Sequence, residues 1–358
     1  MAAGALSRDV EAGGLGAWVR ARPLVVGVVA VVLLVVTLIL GVGLGSVRVA
    51  PAETIAVILS RVFGIDIGVT ITPATEAIVW DLRLPRVLTA MLIGCGLAVA
   101  GTTFQGLLRN PLADPYVLGT ASGAAVGAAI AVMLPIQLVV VEFGLLHGLA
   151  FVGALASAWL VFRLGGMGGA GGLTRLLLTG YAVGSVLAAV LTMAMYVSGA
   201  ELRQIFSFLL GGLGGSSWVR LMVAAPLIIG SSVLIMARGR SLDGMLLGDA
   251  AAGHLGIDVS RERGILLALA SMATAAAVAI SGLIGFVGLV VPHVVRLLVG
   301  PAAHRVLPIS AIAGAALLSA ADLGARLVGD VPVGVVMALL GAPFFLFLLN
   351  RSRSGYQL

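Results

Sequence analysis

The chain has 358 residues, of which 60 % belong to the AVILMFWYC set and only 10 % are charged, with a formal net charge of +6. Domains that fold in water are ~25 % charged, so this composition excludes an ordinary soluble fold and places the chain in lipid. All 21 Lys+Arg residues are Arg and there is one Cys, which excludes a Walker A loop, a Schiff-base amine, an internal disulfide and a Cys-built metal site.

A hydrocarbon core of ~30 Å needs ~20 apolar residues per helix. After an Arg-bearing tail at 1–23, a first span is expected at 24–45. It is too long for a signal-peptide core, so it should stay as an anchor. Further spans are expected at 86–107, 116–135, 143–163, 175–197 and 219–237. Beyond a polar connection at 238–263 come 264–281, 283–298, 306–327 and 333–349, and then a tail at 351–358. The expected fold class is an all-α polytopic membrane protein, a single domain at 24–350 with about ten transmembrane helices.

An even number of spans puts both termini on one side. Segments on that side carry 14 Arg and those opposite carry 7. Arg in short loops marks the cytoplasmic face, so both ends are expected to be cytoplasmic. The positive charge belongs to that face and points to no nucleic acid. Gly94, Gly96 and Gly101, and again Gly119, Gly123 and Gly127, are spaced for close helix approach, which favours a compact bundle.

Five stretches interrupt the apolar pattern. Arg83 and Arg86 bracket Pro85 at the outer mouth of the second span. Either they anchor the helix end at the interface or they pair with carboxylates of a soluble partner. The run Arg109-Asn110-Pro111-Leu112-Ala113-Asp114-Pro115 keeps the backbone non-helical, as a rigid connector or as part of a constriction. Gly165 to Gly172 reads as a flexible linker. The stretch Arg203 to Arg220 is too short and Gly-broken to span, so a helix lying near the outer surface or entering partway is expected there. In 238–263, residues 247–256 read as one short helix, with Asp249 as N-cap and Gly256 at C′. Asp322 and Arg326, four apart, can pair within the ninth span. No catalytic triad, carboxylate pair or metal-ligand cluster is visible.

Seven ordered blocks carry a resemblance: LRLPR (82–86), GLLRNPLADPYVLG (106–119), LLGDAAAGHLGID (246–258), GLIGFVGLVVPHVVRLLVG (282–300), HRVLPISA (304–311), ADLGAR (321–326) and VPVGVVMALLGAPFFLFLL (331–349). Together they resemble FecCD-type permeases of bacterial ABC importers for ferric siderophores, haem or cobalamin. The resemblance implies a non-catalytic subunit of a bacterial inner membrane, dimerising with a copy or a relative around a central translocation path. Its other implied partners are membrane lipid, two cytoplasmic ATPases that hold the ATP and Mg, and a periplasmic or lipid-anchored binding protein. It implies that Arg83, Arg86 and Arg326 receive acidic residues of the binding protein. Leu246, Leu247, Gly248, Asp249, Ala250, Ala251, His254, Leu255 and Gly256 would couple to the ATPase. Asn110, Pro111, Leu112, Leu173 and Thr174 would form a cytoplasmic gate. An iron–siderophore chelate is the expected cargo, with haem or cobalamin as alternatives. A secondary transporter driven by an ion gradient is the rival reading; it needs acids at the midplane, where only Asp322 is available.

Overall fold

The computed structural model describes residues 23–45, 47–134, 139–140, 143–166 and 172–352. Helix α1 (Pro23–Gly43) is apolar on every side and largely exposed, as a lipid-facing helix should be. It is followed by α2 (Pro51–Phe63), which the sequence reading did not anticipate. Its Glu53 and Arg61 and its 13-residue length hide it from a search for spans. Pro51 starts it and Gly64, at φ 68°, stops it. Val57 packs it against Val42 of α1 and Val79.

Helix α3 runs unbroken from Pro73 to Leu107, so it begins well before the expected residue 86. Arg83 and Arg86 mark where polarity rises, not where the helix starts. Residues Ala77–Arg83 form a π-helical stretch that leads into the rest of α3. A 3₁₀ turn (Pro115–Leu118) and Gly119 at φ 72° then delay α4 to Thr120–Met133, shorter than the expected 116–135. Two two-residue strands, β1 (Val139–Val140) and β2 (Phe143–Gly144), pair antiparallel and are the one departure from all-α among the described residues. Helices α5 (Leu145–Gly165) and α6 (Gly172–Val197) follow; most of the Gly-rich linker between them, 167–171, lies outside the described residues. As expected, a short helix, α7 (Leu202–Leu210), fills the interrupted stretch before α8 (Trp218–Ala237).

The polar connection folds into two helices, α9 (Gly239–Leu246) and α10 (Asp249–His254), where a single one was expected. Then come α11 (Val259–Ser281), α12 (Val287–Val299), α13 (Ala303–Leu327) and α14 (Val333–Ser352). Among the described residues seven helices are long and apolar enough to cross a membrane. The apolar helices α4 and α12 are shorter, and with α14, whose stretch Val333–Phe347 is apolar, they complete the set expected from the sequence.

Helix α3 is the central member, packed on α8, α11, α12 and α13. A Cβ at Gly94 would strike the carbonyl of Gly314 in α13, and one at Gly101 the carbonyl of Gly288 in α12. Glycine at these two positions therefore sets how closely the central helices approach. The segment between α11 and α12 is irregular backbone at membrane depth, with Phe286 at φ 69°. Neighbouring segments satisfy its polar groups: Leu283 N donates to Phe208 O (3.3 Å), and Gly212 N to Ser281 O (2.8 Å). Such backbone is tolerated in a bilayer only when the protein supplies partners in this way.

Candidate functional site

On the Arg-rich face, Gly248 at φ 112° occupies the N-cap of α10 and puts Asp249 at the first helical position. The expected cap bond from Asp249 is not made, because two guanidiniums take its carboxylate. Arg263 Nη2 of α11 lies 3.0 and 2.9 Å from the two carboxylate oxygens, and Arg109 Nη2 lies 2.5 Å from Oδ1. Arg109 adopts a left-handed φ of 46° immediately after α3. It also donates to Met245 O of α9 from Nε (3.2 Å) and Nη2 (2.7 Å). One carboxylate thus joins the end of α3, the α9–α10 connection and α11. The hydrogen bonds from Arg263 hold the Asp249 carboxyl below the usual carboxylate range. Its folded pKa is depressed, so the tie is fully present above ~pH 4 and is lost only as pH falls through the lowered value.

A second carboxylate locks the same region. Asp243 of α9 accepts from the backbone N–H groups of Ala303 and His304 at the start of α13, and its Oδ2 lies 2.5 Å from His304 Nδ1. This satisfies orphan donors at the α13 N-terminus. Between these anchors an apolar ledge stands open: Leu247 and Leu255 are 70 % and 63 % exposed. They border a cavity of about 700 Å³ that Leu246 and Ile257 also line. Ala250 and His254 are exposed, Ala251 is half-buried, and Gly256 at φ 79° ends α10 as expected.

The connection after α3 is held by Asn110, whose Oδ1 accepts from Leu112 N (2.9 Å). Asn110 and Pro111 are exposed and Leu112 is half-buried. Thr174, at the start of α6, is exposed and lines a separate cavity of about 750 Å³; the side chain of Leu173 lies outside the described residues. No hydrogen bond joins 110–112 to 173–174 among the described residues, but Gly180 of α6 packs against the carbonyl of Val117. Asp114 accepts from Tyr116 N (2.8 Å), and burial pushes its carboxyl up to about 6. A raised folded pKa costs stability once the group ionises. Stability should therefore fall as pH rises from ~4 through about 6, and Asp114→Asn should flatten that slope in thermal melts at several pH values.

On the opposite face the three expected docking arginines converge on one pocket of about 420 Å³, with Asp330 on its rim. Their charges are largely committed within the chain. Arg83 is only 6 % exposed; it donates to Val42 O (3.1 Å) and Gly43 O (2.9 Å), and to Val47 O. Together with Arg326 Nη2, 3.0 Å from Gly41 O, it caps the C-terminus of α1, where orphan carbonyls and the helix dipole favour cations. Arg83 spends its hydrogen bonds on backbone carbonyls and meets no carboxylate among the described residues, so its charge adds to the pocket it lines. Asp322, 1 % exposed, pairs with Arg326 (3.1 Å) as its spacing predicted, and also with Arg86 of α3 (2.9 Å). Arg86 reaches Asp330 as well (2.7 Å). Three guanidiniums against two carboxylates leave the pocket net positive.

The model of the FecCD transport family matches residues 33–351. This chain belongs to the FecCD transport family. The cobalamin import system permease protein BtuC of Halobacterium salinarum is 43 % identical over 301 residues, 84 % of this chain and 79 % of that protein. The hemin transport system permease protein HmuU of Yersinia pestis is 42 % identical over 282 residues, 77 % of this chain and 84 % of that one. A solved structure described as an inward-facing metal-chelate type ABC transporter superposes with a TM-score of 0.78 at 28 % identity, covering 91 % of this chain and 98 % of that one. This FecCD member is accordingly a multi-pass permease of the ABC-importer kind.

Within this FecCD chain, sequence reasoning overlooked Arg109, Arg263, Asp243, His304 and Asp330 as members of the two clusters. Arg109 stood in a quoted motif, but nothing local pointed to its partner 140 residues away. Asp330 adopts φ 58° in the α13–α14 turn, a conformation Asp tolerates better than most residues.

Proposed function

We propose that this chain is the membrane-spanning half-channel of an ABC importer in a bacterial inner membrane, with the Arg-rich face in the cytoplasm. The observation that carries this reading is the Asp249 hub. A push on the exposed Leu247–Leu255 ledge reaches the end of α3 through Asp249–Arg109 and reaches α11 through Asp249–Arg263. Such a ledge suits a cytoplasmic ATPase whose closure, driven by its own ATP and Mg, supplies the push. The permease chain has no lysine for a phosphate loop and does no chemistry itself. The loop at 110–112 and the start of α6, with Leu173 and Thr174, would open and close the cytoplasmic exit.

Helix α6 is the least buried of the long helices, with Tyr181, Ser185, Thr192 and Tyr196 exposed. A second permease subunit, a copy or a relative, would face it across a shared path. The cargo is a large metal chelate, with iron–siderophore as the expected form; the named activities of two relatives make cobalamin and haem the alternatives to test. ATP-dependent uptake of ferric siderophore, haem and cobalamin by vesicles holding the permease, its ATPase and a binding protein would identify it. Transport that persists without the ATPase would overturn the reading in favour of an ion-coupled carrier.

The net-positive pocket of Arg83, Arg86 and Arg326 would receive an acidic residue of an external binding protein. Asp330 competes for Arg86 there. Asp330→Asn is therefore expected to tighten binding several-fold and Arg86→Gln to weaken it about tenfold, as read by titration calorimetry. Unchanged affinity in both variants would reject docking at this pocket.

A further inference from the structure

Between α1 and α13 the structure leaves a groove of about 600 Å³ on the Arg-rich side of the bundle. One wall is Leu24, Gly27 and Val31 of α1; the other is Pro308, Ile309 and Ile312 of α13. These stripes follow helical spacing and cover ~10 Å along α1 and ~6 Å along α13. The walls are apolar throughout and sit on helices that cross the membrane. Only the end nearest the surface is polar, where His304 and the exposed Arg305 line the mouth. Among the described residues no acid lines this groove. The carboxylate of Asp243 is occupied by His304 and by the start of α13.

We propose that this groove is a binding site for an anionic phospholipid: one acyl chain lies between α1 and α13, and the phosphate sits at Arg305. The occupant follows from position and charge. An apolar slot on helices that cross the membrane suits an acyl chain, and a phosphate whose charge is not offset by a choline cation suits Arg305 best. The polar end adjoins the Asp243–His304 lock, since His304 lines both this groove and the cavity under the Leu247–Leu255 ledge. A bound headgroup would therefore bear on the segment that joins α9 to α13. This inference needs only that the chain spans a membrane, and stands or falls apart from the transport reading.

Gly27 provides a clean probe, because a side chain added there meets nothing within 4 Å except the open groove. Purified full-length protein in detergent would be titrated with phosphatidylglycerol and with phosphatidylcholine of the same acyl chains, and bound lipid counted by native mass spectrometry. The parent should retain one phosphatidylglycerol in preference to phosphatidylcholine. Arg305→Gln should reduce that preference about fivefold while leaving phosphatidylcholine binding unchanged. Gly27→Trp should remove the retained lipid of either kind, with a melting temperature no lower than the parent's. Equal retention of the two lipids by the parent, or parental retention in Gly27→Trp, would overturn the proposal. Loss of the site in Gly27→Trp with no headgroup preference in the parent would mark a neutral acyl slot and overturn it too.

Discussion

Asp249→Ala is expected to leave the permease folded and able to hold its ATPase, yet to reduce transport roughly tenfold or more relative to ATP hydrolysis. The carboxylate is the shared ligand of Arg109 and Arg263. Without it α11 loses its ion-pair tie to the α9–α10 segment, and the end of α3 keeps only the Arg109 bonds to Met245 O. Arg263, with a side chain only 10 % exposed, loses its anion. Asp249 itself is half exposed, so the cost in stability should be limited to ~1–2 kcal/mol. Asp249→Pro should behave like Asp249→Ala rather than breaking α10, because the first helical position accepts proline. Simultaneous measurement of ATP hydrolysis and cargo uptake in vesicles checks both variants. Coupled transport at the parental ratio in Asp249→Ala would remove the hub from the mechanism.

The largest effect on stability is expected from Asp322→Asn. This buried carboxylate holds Arg86 and Arg326 together, and its loss leaves two enclosed guanidiniums with only Asp330 and backbone carbonyls as partners. Breaking one side of a buried ionic cluster typically costs ~3–5 kcal/mol. Thermal unfolding in detergent should show a large drop in midpoint. Adding Arg326→Gln to Asp322→Asn should cost less than the sum of the two single changes, since the second change removes a charge already stranded. The same pairing argues against Asp322 as an ion-coupling acid, so uptake should not depend on a proton gradient. An Asp322→Asn protein as stable as the parent would show that the cluster is not structural.

Much of the architecture was legible in the sequence because hydropathy is a local property. Each span is written in its own ~20 residues, and the Arg distribution sorts the loops between two faces. The exceptions are physical ones. Helix α2 is amphipathic and lies beside α1, so its apolar face is too narrow for a span search. Helix α3 begins beyond the charges that seemed to bound it, since a helix can leave the membrane without ending. The α9–α10 break needed Gly248 at φ 112°, a backbone choice that composition does not announce.

The candidate site divides in the same way. Gly94 and Gly101 were recognisable as close-approach positions, and the Asp322–Arg326 spacing announced its own pair. The partners of Arg109 and Arg86 did not follow from spacing, because Asp249 and Asp322 lie 140 and 236 residues away. Composition alone determined that this chain lives in lipid and that it has no lysine for a phosphate loop of its own. Only the tertiary structure decided which arginines are spent on helix ends, which share a carboxylate and which face outward. Burial in lipid is dictated residue by residue, whereas the fate of a charge depends on what the folded chain brings within about 3 Å of it.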